Sequence, residues 1–157
     1  MEKKNVGNTK TTGIDSPKKL PLSGVNYSVH MPYSSSEKFD IIEKGIPYTA
    51  IEKLSERLDT PIKSVLAVFD LAQTTYNLKK RENALMGRRD TETVLYLNEL
   101  IDFGVDVFNA ENSKFLRWLK KPNLSLGGAA PENLLNSITG IQEVKGCLAR
   151  IEYGNMA

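Results

Sequence analysis

The chain has little of the chemistry on which most enzymes and metalloproteins depend. Its 157 residues include one cysteine, Cys147, and one histidine, His30. A single cysteine excludes an intrachain disulfide, and without a Cys/His cluster no zinc site is expected. No apolar run approaches the ~20 residues of a membrane-spanning helix, and the N-terminus lacks the apolar segment of a secretory signal. We therefore expect a cytoplasmic protein without metal, cofactor or membrane contact.

The residues of nucleophilic catalysis are also scarce. Such catalysis needs Ser, Cys or Thr beside a His or Lys base. His30, however, lies in a polar N-terminal stretch, and Cys147 lies on the apolar face of a predicted helix, where a core thiol is expected. Gly127-Gly128 is not a phosphate-binding loop, because no strand precedes it and no Lys-Ser or Lys-Thr follows it. We expect no enzymatic activity and assign no catalytic residue.

Charge is distributed unevenly along the chain. Residues 1–36 carry five lysines against two acidic residues, whereas residues 91–157 carry six basic and eight acidic residues. A basic front and an acidic back suggest two different partners. Residues 1–33 are rich in Lys, Gly, Ser, Thr, Asn and Pro, so we expect a disordered basic tail. The alternatives for it are an unstructured terminus and an arm that contacts DNA phosphates.

From residue 34 onward, apolar residues recur at helical spacing and strand-like alternation is scarce, which predicts an all-α fold. Ser34-Ser35-Ser36-Glu37 fits a capping box for the first helix, and Gly45 is expected to end it. Pro47 is expected to open the second helix. Asp59-Thr60-Pro61 is a break that should supply a cap and a first-turn proline for the third.

The other helices have recognisable starts in the sequence. The fourth is expected to run through Ala84-Leu85 to Gly87. The fifth and longest is apolar over a wide arc, which predicts a buried spine and part of a dimer interface. The predicted starts are Thr74-Thr75 for the fourth helix, Asp90 for the fifth, Asn109 for the sixth and Thr139-Gly140-Ile141-Gln142 for the last. The last helix should bury Ile141, Val144, Leu148 and Ile151, with Cys147 beside them.

The fourth helix is the candidate DNA-reading element. Two short helices and a tight break precede it, in the rhythm of a helix-turn-helix. Only Leu78, Ala84 and Leu85 are suited to pack inward, and the other side chains are types that bind base edges and phosphates. A solvated helix with no DNA contact is the alternative. The candidate DNA-binding residues are Thr74, Thr75, Tyr76, Asn77, Lys79, Lys80 and Arg81, followed by Arg88 and Arg89, which are placed better for phosphates.

The last third of the chain contains a long ordered string of turn and helix signals. It runs from Trp118-Leu119-Lys120-Lys121-Pro122-Asn123 through Leu126-Gly127-Gly128 and Pro131 to Arg150-Ile151-Glu152-Tyr153-Gly154. Pro122 should stop a helix, two glycines allow a tight reversal, and Pro131 suits a new helical start. This string resembles the C-terminal toxin-binding domain of Xre-type antitoxins, the Xre/MbcA/ParS family. The resemblance covers roughly residues 40–157 and is looser in the first half.

The resemblance implies an antitoxin of a type II toxin–antitoxin system. Residues 34–90 would form an Xre-like helix-turn-helix domain that binds operator DNA and represses the operon. Residues 91–157 would form a helical domain that dimerises and binds a cognate RES-domain toxin, which degrades NAD or uses it for ADP-ribosylation, and would block its NAD site. The chain departs from the family pattern at Ala129-Ala130, where Ala130 offers no hydroxyl cap to the next helix.

The predicted toxin-binding residues fall into a loop and the end of the chain. We expect Tyr153 to act as an interface anchor, and Glu152 and the terminal carboxylate to pair with cations that otherwise hold NAD phosphates. For Ile151, core packing is expected rather than toxin contact. The predicted toxin-binding residues are Asn123, Leu126, Gly127, Gly128, Arg150, Glu152, Tyr153, Gly154, Asn155, Met156 and Ala157.

Two other functions remain compatible with the sequence. One is a stand-alone helix-turn-helix transcriptional regulator whose C-terminal half only dimerises. The other is an adaptor that binds a protein partner and no DNA. A toxin gene beside this one would favour the antitoxin, and salt-sensitive promoter binding would exclude the adaptor.

Overall fold

The computed structural model describes residues 33–154, and all regular structure in this range is helical, which confirms the predicted all-α class. Apart from Tyr33, the predicted disordered tail lies outside the described residues, as do His30 and the predicted toxin-binding residues Asn155, Met156 and Ala157. The helices are α1 (Ser35–Lys44), α2 (Ala50–Arg57), α3 (Ile62–Val68), α4 (Gln73–Arg81), α5 (Arg88–Val107), α6 (Asn112–Leu119), a 3₁₀ helix (Leu124–Leu126), a second 3₁₀ helix (Pro131–Leu134) and α7 (Ile138–Glu152).

The start and end of α1 follow the sequence prediction. The Ser34 hydroxyl accepts a hydrogen bond from the Glu37 backbone N–H at 3.3 Å, and the Glu37 carboxylate accepts one from the Ser34 N–H at 2.8 Å. The backbone hydrogen bond from Ser34 lowers the pKa of Glu37. Gly45 ends the helix with φ of +77°, and a Cβ there would crowd the Met86 carbonyl oxygen, so both conformation and space require glycine.

A short pairing of two chain segments displaces the predicted boundaries of two helices. Pro47 and Leu85 form an isolated antiparallel bridge, and the Met86 N–H donates to the Ile46 carbonyl at 2.8 Å. Pro47 therefore does not open α2, which begins at Ala50. The prediction that α4 extends through Ala84-Leu85 is also wrong, because α4 ends at Arg81.

Four further boundaries differ from the predictions. Gly87 does not end α4 but is the N-cap of α5, so Asp90 lies in the first turn instead of at the cap. The N-cap of α3 is Pro61, which makes no side-chain cap bond. Asn109 does not begin α6, because it and Ala110 have positive φ and form a turn. The cap of α7 is Ser137, whose hydroxyl accepts from the Gly140 N–H at 3.1 Å, and not Thr139.

The core is organised around α5, as predicted. This helix packs against α1 and α2 on the N-terminal side and against α6 and α7 on the C-terminal side. Val94, Leu97 and Ile101 from the predicted stripe are buried, whereas Val105 and Phe108 are partly exposed. Residues of both halves belong to one continuous apolar cluster. The 20-residue α5 therefore joins the parts of the chain that carry the two candidate sites.

One close approach fixes the position of α6 on α5. Phe115 is completely buried, and its ring lies against Gly104, where a Cβ would overlap the ring. The rings of Phe108 and Trp118 lie 6.2 and 6.3 Å from that of Phe115, between ring centroids. Within residues 33–154, no helix is both long and apolar enough to cross a membrane.

Candidate functional sites

The first candidate site is the outer surface of α4. This helix follows α3 after a four-residue turn, Phe69–Ala72, in which Asp70 has φ of +50°. The side chains of the predicted DNA-binding residues differ in exposure along it. Those that lie on the surface are Thr74, Thr75, Asn77, Lys80 and Arg81, while Lys79 is half-buried. The N-cap of α4 is Ala72, so the two threonines are not needed as caps and their hydroxyls face solvent.

Tyr76 is the exception, and its assignment as a DNA-contact residue is wrong. It is only 2% exposed and belongs to the apolar core. Leu78 and Leu85, predicted to pack inward, are exposed instead. Because α4 buries a single residue, no repeated apolar spacing marks its inner face. Tyrosine has an apolar ring and a polar hydroxyl, so its presence in the sequence does not decide between the two faces.

The buried Tyr76 hydroxyl lies in an unusual environment. It has no hydrogen-bond partner among the described residues. Burial raises the pKa of Tyr76 to about 12, with a smaller contribution from the negative charge of Glu52 on α2. The Glu52 carboxylate forms an ion pair with Lys80 of α4. A core hydroxyl, a carboxylate and a surface cation are thus grouped at one end of the candidate interface.

The remaining cations of this site are arranged on α4 and the start of α5. Arg88 forms an ion pair with Glu43 of α1, whereas Lys79, Arg81 and Arg89 have no acidic group within ion-pair distance among residues 33–154. Arg88 and Arg89 lie in the first turn of α5, where the helix dipole disfavours cations. Burial raises the pKa of the adjacent Asp90, and Arg89 acts in the opposite direction.

The second candidate site begins with the loop after α6. Asn123 organises it: the side-chain oxygen accepts from the Ser125 N–H at 2.9 Å, and the side-chain nitrogen lies 3.3 Å from the Cys147 sulfur as a donor. Its backbone also pairs with Ala129 and Gly128. Gly127 and Gly128 have φ of +67° and +84°, which confirms the predicted reversal. The polar ends of Asn123 are therefore occupied within the chain.

The tip of this loop carries an apolar residue that sequence reasoning missed. Leu124 is 95% exposed, whereas the predicted contact residue Leu126 is partly buried against the core. The available signal was an apolar residue directly after the Asn123 cap and ahead of two glycines. Pro131 occupies the first position of the second 3₁₀ helix, and Ala130 makes no side-chain cap bond, as expected.

The end of α7 lies beyond the core. The predicted residues Arg150, Glu152, Tyr153 and Gly154 are all exposed, and Tyr153 is 73% exposed. The expectation that Ile151 packs in the core is wrong, since it is 37% exposed. Ile151 lies one helical turn after Cys147, the residue that Asn123 contacts, so it shares a face with the loop attachment point.

Sequence comparison identifies this C-terminal region. A family profile described as "Antitoxin Xre/MbcA/ParS C-terminal toxin-binding domain" matches residues 104–154. That range runs from the second half of α5 to Gly154 and contains the Asn123 loop and α7. The chain belongs to the Xre/MbcA/ParS antitoxin family. The family named on the sequence alone is thereby confirmed.

Three relatives of this family member match over most of their length. "Antitoxin Xre" of Photorhabdus laumondii subsp. laumondii is 24% identical over 128 residues, covering 81% of this chain and 86% of the relative. "Antitoxin Xre" of Yersinia enterocolitica is 23% identical over 115 residues, covering 73% and 78%. "Prs ADP-ribosylating antitoxin" of Sphingobium sp. is 27% identical over 132 residues, covering 79% and 83%.

Proposed function

We propose that this chain neutralises a cognate RES-domain toxin by blocking its NAD site, and that it represses its own operon by binding operator DNA as a homodimer. The observation that carries the toxin arm is the match of residues 104–154 to a toxin-binding domain, in which Leu124 and Tyr153 project from the core. The name of the Sphingobium relative associates that protein with ADP-ribosylation, which is NAD chemistry. The role assigned here is binding in the cytoplasm, without catalysis.

The toxin contact is proposed to centre on the Asn123 loop and the end of α7. Exposed Leu and Tyr side chains anchor protein interfaces because they bury large area against a partner pocket. Leu124, Ile151 and Tyr153 supply such area, and Asn123 ties the loop to α7. Glu152 and the chain terminus are proposed to pair with toxin cations that otherwise hold NAD phosphates. Gly154 and residues 155–157 would reach into the cleft.

Co-expression with the product of the neighbouring open reading frame tests this arm. The wild type should rescue growth and co-purify with that product. Leu124→Ser and Tyr153→Ala should each weaken the complex by about tenfold or more, the loss expected for an interface anchor. Phe39→Ser is the matched control, because Phe39 is 59% exposed on α1, outside the proposed interface. Equal affinities of all three variants would exclude the proposed contact.

The DNA arm assigns residues 34–90 to operator binding and residues 91–157 to dimerisation and toxin binding. The exposed side chains of α4 and the cations Lys79, Arg81 and Arg89 support it. A monomer offers one short recognition helix, so a dimer on two half-sites is proposed to provide the affinity. Binding to the upstream duplex should fall steeply with salt, since phosphate contacts release counterions. Salt-sensitive DNA binding beside a harmless neighbour would instead indicate a stand-alone transcriptional regulator.

A further inference from the structure

Two of the proposed DNA-binding cations already have carboxylate partners within the chain. Lys80 pairs with Glu52 of α2, and Arg88 pairs with Glu43 of α1. These side chains are partly exposed, so the pairs are accessible to an incoming anion. For Lys80 to contact a DNA phosphate, it must leave Glu52. Glu52 would then be an unpaired negative charge beside a polyanion.

The Tyr76 hydroxyl lies where it can remove that difficulty. It is buried next to Glu52 and makes no hydrogen bond among the described residues. A buried hydroxyl without a partner is unfavourable, so a bound state that supplies an acceptor gains from it. Burial and the neighbouring carboxylate raise the pKa of Tyr76 to about 12, so the hydroxyl keeps its proton over the whole physiological range. It remains a donor whenever Glu52 becomes available.

We propose that Glu52 competes with DNA for Lys80, and that the Tyr76 hydroxyl donates a hydrogen bond to Glu52 when Lys80 transfers to a phosphate. The exchange breaks one ion pair and forms another, and it converts an unpartnered hydroxyl into a partnered one. Glu52 and Tyr76 are positioning residues, since neither contacts DNA. This inference rests on the proposed operator binding and adds to it a pair of residues that set the affinity.

Operator affinity of a set of purified full-length variants tests the exchange. The probe is a labelled duplex of the DNA immediately upstream of the gene, and affinity is measured by fluorescence anisotropy across a salt series. Lys80→Gln should lower affinity and reduce the salt slope by about one. Glu52→Gln should raise affinity about two- to fivefold, as expected for loss of an exposed competing ion pair. Glu52→Gln should have no effect in the Lys80→Gln background.

Glu82→Gln separates competition from simple removal of charge. Glu82 is exposed at the C-cap of α4, close to the same cations. Its substitution should change affinity equally in the wild-type and Lys80→Gln backgrounds, because it acts only through its long-range field. If Glu52→Gln behaves in the same way as Glu82→Gln, or lowers affinity, the competition is overturned.

Tyr76→Phe tests the hydroxyl. The ring still fills the core, and the thermal midpoint should be unchanged or higher because the unpartnered hydroxyl is gone. Affinity should fall in the wild-type background and stay constant in the Glu52→Gln background. An equal effect in both backgrounds overturns the role of the hydroxyl. Absence of salt-sensitive binding by the wild type would overturn the operator proposal itself, and this inference with it.

Discussion

At the scale of single residues, α7 contains two glycines in opposite situations. Gly140 lies against the second 3₁₀ helix, and a Cβ there would overlap the Leu134 carbonyl oxygen. Gly146, further along the same helix, has no atom of another residue within 4 Å of the position that a Cβ would take, apart from its chain neighbours and its own helix backbone. Gly140 therefore allows a close approach, whereas Gly146 only weakens the helix.

We expect Gly140→Ala to destabilise the fold by about 1–3 kcal/mol, because the backbone of Leu134 must shift to admit a methyl group. Gly146→Ala is the matched control and should stabilise the fold by about 0.5–1 kcal/mol through helix propensity. Urea unfolding followed by circular dichroism, at equal protein concentration, measures both. Similar midpoints for the two variants would contradict the packing argument.

Individual side chains also show where sequence reasoning stops. The polar and basic residues of α4 could be predicted to face solvent, because their charge makes burial unfavourable. Tyr76 could not be placed, since a helix with one buried residue has no periodicity. Leu124 and Ile151 could not be placed either. Apolar residues are buried only where the fold supplies a partner, and nothing local reveals its absence.

At the scale of elements, the accuracy of the prediction follows the range of the interactions involved. The α1 capping box and the Gly127-Gly128 reversal depend on atoms within a few residues, and both were predicted from sequence. The start of α2 and the end of α4 depend on the bridge between Pro47 and Leu85, which are distant in the chain. Such a contact competes with local helix propensity and leaves no local signal.

The attachment of α2 to α5 depends on one arginine. The Arg57 guanidinium donates to the Asn98 side-chain oxygen at 2.6 Å and to the Asp102 carboxylate at 2.5 Å, and all three side chains are partly buried. Arg57→Ala should destabilise the fold by about 1–2 kcal/mol, because it leaves two half-buried acceptors without their donor. Thermal unfolding at fixed concentration measures the loss.

Lys114→Ala is the matched control for this element-scale prediction. Lys114 pairs with Glu111 at 2.6 Å, and both side chains are about half exposed. An exposed pair of this kind contributes little, so the variant should stay within about 0.5 kcal/mol of the wild type. Comparable losses for Arg57→Ala and Lys114→Ala would show that the α2–α5 contacts do not depend on burial.

At the scale of the whole molecule, α5 packs against the helices of both halves of the chain, and one apolar cluster runs through them. Separate unfolding of the two halves would expose the face of α5 that the lost half covers. Trp118, the only tryptophan of the chain, lies in α6 and reports on the C-terminal half. Circular dichroism in the far ultraviolet reports on the helices of both halves.

We expect Trp118 fluorescence and circular dichroism to give the same denaturant midpoint, since a shared core makes the unfolding of the two halves cooperative. Gly140→Ala, although confined to the C-terminal half, should shift both curves together. Midpoints that separate would contradict this coupling. If they coincide, a protein that binds only the Asn123 loop and α7 must also raise the temperature at which α4 unfolds, because binding to the folded state stabilises the whole cooperative unit.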